Sequence, residues 1–202
     1  MSGIDLPVQI RTAQLIKPKA NILYPIIDEL PNPQAQQNIN NTVIHTVYQM
    51  LHQQGYPQNP LAESTGYYEI KTNERDVLSL SLFNYTFAGG AHGLTIQKSL
   101  TFDVKTGELC PLHELFIPGS NYIQRLNEFI HIQIKARDIP LLVEFKGIQP
   151  NQDFYIADKA LVIYYQVYEL TAYVYGFTYF PISIFEIQSM VDEQGPLGQM
   201  IY

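Results

Sequence analysis

A single cysteine, no tryptophan and a charged fraction of only 15% mark this chain of 202 residues. With Cys110 alone, neither an intrachain disulfide nor a cysteine-based zinc site can form. Its setting, Leu109-Cys110-Pro111, is that of a small core residue rather than a nucleophile. Basic residues are scarce: 12 Lys and Arg stand against 19 Asp and Glu, a net charge of −7. No Lys/Arg run exceeds a dipeptide, which argues against a nucleic-acid partner. No apolar run approaches transmembrane length, and Met1 to Gln9 hold no basic segment followed by an apolar one. The expectation is a soluble chain, cytoplasmic as written. Gly-x-Ser-x-Gly, the phosphate-cradling glycine patterns and His-Glu-x-x-His are all missing; His113-Glu114 has no second histidine at that spacing. His45 and His52, seven apart on one helix face, are too distant for a common chelating pair. No metal and no cofactor is expected.

What is present is apolar and aromatic: 46% hydrophobic residues, with 15 Tyr and 10 Phe. That composition suits a well-buried core rich in strands. Residues 6–27 read as two extended segments interrupted by Pro7, Pro18 and Pro25, placed at a sheet edge. Asn32-Pro33 is an N-cap followed by proline at the first helical position. Ile39, Val43, Val47 and Met50/Leu51 then keep helical spacing until Gly55, which predicts a helix over 33–54. Strands are predicted at 66–72, 77–87 and 94–104, with Lys105-Thr106-Gly107 a tight turn. A second helix begins at Ser120 or Asn121, and a short helix is placed over 139–146. Three further strands follow at 153–158, 160–170 and 177–184. Leu161 to Tyr165 are apolar on both parities, as in a central strand. The sum is an α+β fold, antiparallel sheet packed with two main amphipathic helices. The expected organisation is a strand–strand–helix subdomain over 1–65, a second domain over 66–192 and a frayed tail over 193–202.

The most specific local signal is Gly89-Gly90-Ala91-His92-Gly93, between two alternating strands. Three glycines in five positions require positive φ or a close approach. His92 is either a ligand-contacting or general-base residue, or a turn residue that locks a bulged hairpin by a hydrogen bond. Glu169, next to Tyr168 late in an apolar strand, is expected to be partly buried. It is either an acid–base partner of His92 or a structural group bonded to a buried donor. The tyrosine-rich stretch 164–180 is either an aromatic platform for a sugar or peptide, or a sheet face covered by a helix.

Several segments in order carry a family resemblance: Tyr85, Gly89–Gly93, Phe102-Asp103-Val104-Lys105-Thr106-Gly107, Leu112-His113-Glu114-Leu115-Phe116, Phe154-Tyr155-Ile156, and Tyr168 through Gly176. Together, over roughly residues 67–190, they resemble the C-terminal domain of the RsiV-like anti-sigma factors, which also accompanies the catalytic domain in PdaC deacetylases. Residues 6–56 resemble, more weakly, the companion N-terminal domain. Ala172 stands where that family usually has proline. The resemblance implies a non-enzymatic binding module that works outside a Gram-positive membrane. Its ligand would be a protein, lysozyme-like, or a cell-wall glycan. Tyr85, Gly89, Gly90, His92, Gly93, Tyr168, Glu169, Tyr173 and Tyr175 are the expected contact residues. Two other readings stand beside it: a cell-wall or peptide hydrolase with His92 and Glu169 as acid–base pair, and an intracellular structural or partner-binding protein. Oligomeric state is not legible.

Overall fold

The computed structural model describes residues 7–201, and the chain divides into two compact units, Met1–Leu109 and Cys110–Tyr202. The first holds a five-stranded sheet ordered β1-β2-β3-β4-β5. Its strands are β1 (Gln9–Lys17), β2 (Ala20–Asp28), β3 (Glu63–Glu74), β4 (Val77–Phe87) and β5 (Leu94–Asp103). Neighbours pair antiparallel except β2 and β3, which run parallel over Ala20–Ile22 against Ser64–Gly66. Helix α1 (Pro33–Gln53) makes the crossover that a parallel pair requires.

Its start follows the capping rule. Asn32 Oδ1 accepts from Gln34 N at 3.1 Å and Ala35 N at 3.3 Å, while Asn32 Nδ2 donates to Lys105 O at 2.9 Å. The apolar face of α1, with Ile39, Val43, Val47 and Leu51, is buried in one core with Ile22, Leu80 and Phe102. Each such side chain contributes about 1.5–3 kcal/mol by leaving water. Among the described residues, β2 beyond Ile22 has no strand partner on its β3 side, and Pro25 falls in that stretch, where a missing N–H breaks no ladder. Asn40 of α1 takes the place of a strand there. Its Oδ1 accepts from Ile27 N at 2.8 Å and its Nδ2 donates to Ile27 O at 2.9 Å.

The second unit holds a three-stranded antiparallel sheet of β6 (Phe154–Ala157), β7 (Ala160–Tyr165) and β8 (Thr178–Ser183), with β7 central. Helix α2 (Tyr122–Ala136) buries Leu126 and Ile130. It also serves the edge strand: Gln133 Nε2 donates to Pro181 O at 2.8 Å and Arg137 Nη1 to Tyr179 O at 2.6 Å. Among the described residues, no helix is long and apolar enough to cross a membrane.

Four expectations require correction. The boundary at residue 65 falls inside β3, which pairs with both β2 and β4, so the sheet continues through it and the units divide at 109/110. No helix forms over 139–146. Leu141 bridges Thr171, and Leu142 N donates to Leu170 O at 2.9 Å, so the backbone bonds in extended form after Pro140. Strand β7 stops at Tyr165 rather than 170, because Glu169 N turns back onto Gln166 O at 3.0 Å. The tail does not fray over 193–201, and Tyr202 lies outside the described residues. α3 (Ile184–Ile187) is followed by α4 (Pro196–Gln199), and Leu197 and Met200 are both fully buried.

Candidate functional site

The glycine-rich turn joins β4 to β5 and fixes one tyrosine. Gly89 and Gly90 take φ +89° and +108°, which only glycine adopts without strain. Gly93 is glycine for another reason: a Cβ there would collide with the Tyr85 ring, which lies directly against its backbone. Tyr85 therefore remains half-exposed on the sheet, on the wall of a concavity of about 450 Å³ shared with Ile16, Asn21, Thr65 and Phe87. His92 is exposed, its Nδ1 3.0 Å from Gly93 O. In the Nδ1–H tautomer this is a turn-locking bond.

The second cluster lies in the loop between β7 and β8. Tyr168 has φ +71°, uncommon for a bulky residue and costing roughly 1–3 kcal/mol of strain. Several bonds hold it there. Glu169 Oε2 accepts from Gln166 N at 2.7 Å, and Gln166 Nε2 donates to Asp153 Oδ2 at 2.7 Å. The buried Thr171 and Thr178 hydroxyls share a 3.0 Å bond. A turn of 3-10 helix, Tyr173–Tyr175, closes on Gly176 at φ +66°. The rings of Tyr168 and Tyr173 tilt together with centroids 5.5 Å apart. Tyr175 is 56% exposed and Val174 81%. Leu141, Leu142 and Val143, carried beside this loop by the Leu141–Thr171 bridge, are exposed as well.

Glu169 thus departs from its expected setting: it is exposed, on a turn, and its carboxylate accepts a backbone N–H. His92 belongs to the first unit and Glu169 to the second. The tyrosine-rich stretch splits between its two readings. Tyr164 and Tyr165 are core, while Tyr168, Tyr173 and Tyr175 face outward. Tyr165 adds an orphan: its hydroxyl is buried without a hydrogen-bond partner among the described residues. Burial pushes its ionisation well above the ordinary phenol range, and the charge of Glu169 adds to that. Sequence reading missed Leu141-Leu142-Val143 and Val174. The available signal was the short apolar run Leu141-Leu142-Val143 between Pro140 and Pro150.

Two units, each a sheet with its own amphipathic helix, define an α+β protein. Residues 13–95 match the family model described as deacetylase PdaC, and residues 113–184 match that of a protein of unknown function, DUF3298. The gap between the matches contains the division between the compact units, and Gly89–Gly93 lies within the first match. Among curated proteins, the peptidoglycan-N-acetylmuramic acid deacetylase PdaC of Bacillus subtilis is 24% identical over 114 residues, 52% of this chain and 24% of that protein. The chain thus spans about a quarter of that relative's length. Two crystal structures share the fold. A DUF3298 family member from Bacteroides fragilis superposes with a TM-score of 0.73 at 13% identity, covering 98% of this chain and 99% of that one. A DUF3298 family protein from Pseudomonas aeruginosa gives 0.64 at 13% identity, covering 94% and 97%. These matches support the resemblance at the level of the PdaC and DUF3298 families but move its boundary: residues 67–95, with Gly89–Gly93, fall in the first match and not with the C-terminal segment.

Proposed function

We propose that this protein is a non-enzymatic binding module of the RsiV-like type, with the loop Gln166–Gly176 and the neighbouring residues 141–143 as its contact surface. The observation that carries this reading is the outward display of Tyr168, Tyr173, Val174 and Tyr175 on a turn held in a strained conformation. A soluble fold that exposes contiguous apolar side chains gives up the free energy of burying them, and such patches mark interaction sites. The fixed turn lowers the ordering cost on association.

The ligand class is a cell-wall glycan or a lysozyme-like protein. The glycan is supported by the name of the Bacillus subtilis relative, whose substrate class is peptidoglycan; tyrosine faces stack on sugar rings as they do on other flat apolar surfaces. A cationic protein is supported by the net charge of −7. The His92–Glu169 hydrolase reading gains nothing from the geometry, since the carboxylate bonds Gln166 N and the imidazole sits against Gly93 O. Co-sedimentation with purified peptidoglycan and pull-down with lysozyme test the proposal. Saturable association with one of them supports it; none with either overturns this ligand class.

A further inference from the structure

A second concavity, of about 780 Å³, lies along the outer side of the C-terminal half of α1. That volume is within the roughly 300–1,000 Å³ usual for small-ligand sites. Lys17 at the end of β1, then His45, Tyr48 and His52 of α1, and Tyr56 just beyond it supply its chemistry. None of its lining residues is Asp or Glu, although acidic residues outnumber basic ones 19 to 12 in the chain. Among the described residues these five side chains form no hydrogen bond or ion pair with the protein. The polar donors are therefore unengaged and the Tyr48 ring is exposed, while Tyr56 packs partly against the core of the first unit. His45 and His52 are seven residues apart, hence about 10 Å along the helix axis, with Tyr48 on the same face between them. They cannot share one small ion. They can hold the two ends of a longer body.

We propose that this groove is a binding site for a ring-bearing carboxylate. The flat body would lie on Tyr48 and Tyr56, and its anionic group would take charge-assisted or imidazole N–H bonds from Lys17 and a histidine. Charge complementarity selects this occupant: a cation finds no counter-charge in the lining, and a neutral ring leaves the ammonium unused. The groove belongs to the first unit and the aromatic loop proposed above to the second, and neither reading depends on the other.

The test uses the 202-residue chain with three matched probes: 2-naphthoate, 2-naphthamide and 2-naphthylmethylammonium. Binding is followed in every variant by the probe's own aromatic-proton resonances, and in the wild-type chain also by the ring-proton resonances of His45 and His52. Saturable shifts with naphthoate are expected, with the amide at least about tenfold weaker and no binding by the ammonium. The exposed substitutions Lys17→Gln and His45→Gln/His52→Gln should weaken naphthoate by a similar factor while leaving the melting temperature in place. Absence of a saturable shift overturns the proposal, as does equal binding of all three probes or full affinity in the histidine double variant. Concentration-dependent dimerisation that naphthoate fails to compete would assign the groove to a second copy and overturn it too.

Discussion

Tyr165 shows how a single buried atom can be tested. Its ring is packed edge-on between Phe145 and Phe180, with centroids 6.2 and 5.9 Å away, and its hydroxyl has lost water without gaining a partner. Tyr165→Phe should therefore be neutral or stabilising by up to about 1 kcal/mol in chemical denaturation at pH 7. The pH dependence has a fixed sign. The folded chain holds the phenol proton more tightly than the unfolded chain does. That contribution is complete below the ordinary phenol pKa of about 10 and is lost as pH rises above it. Wild type should lose stability on the alkaline side faster than Tyr165→Phe, and parallel pH profiles would contradict this. At the glycine turn, Gly93→Ala drives a methyl group into the Tyr85 ring and should cost about 1–3 kcal/mol. Pairing it with Tyr85→Ala should recover part of that loss, measured as a double-mutant cycle. His92→Ala should cost on the order of 1 kcal/mol through its bond to Gly93 O, with ligand association retained.

At the scale of elements, α1 is anchored at both its cap and its flank. Asn32→Ala removes two bonds to backbone N–H groups and one to Lys105 O, and should lower unfolding free energy by about 1–2 kcal/mol. Asn40→Leu leaves both polar groups of Ile27 without their side-chain partner and should cost at least as much. The same elements show what the sequence could reveal. Helix α1 and strands β4 and β5 were legible because capping, alternation and turn chemistry all act within a few residues. The parallel contact of β2 with β3 was not, since it spans three residue pairs and joins segments about forty positions apart. Asn40 reads as an ordinary polar helix residue until Ile27 is placed beside it. The extended form of 139–146 is not legible because Leu141-Leu142-Val143 fits either period over so short a run. The Gly and Pro content of the tail suggests fraying, yet Leu197 and Met200 carry enough apolar surface to dock it. Of the candidate site, the tyrosines were legible by type. Their exposure was not, because it depends on the chain turning at Gln166 after β7 ends.

For the whole molecule, the chain presents two kinds of surface with different chemistry. One is the aromatic loop of the second unit. The other is the histidine-lined groove of the first, whose lining lacks acid in an acidic chain. Among the described residues no three His, Cys, Asp or Glu side chains are placed to hold a metal ion. The central claim is recognition through Tyr168, Tyr173 and Tyr175. The few aromatic anchors that centre an interface contribute about 2 kcal/mol or more each, about thirtyfold. The most direct measurement compares the wild-type chain with a Tyr168→Ser/Tyr173→Ser/Tyr175→Ser variant for association with peptidoglycan and with lysozyme, alongside thermal melting of both. The expected result is saturable wild-type association with one of these, at least about tenfold weaker in the variant, with folding intact. A folded variant that associates as tightly as wild type would contradict the account.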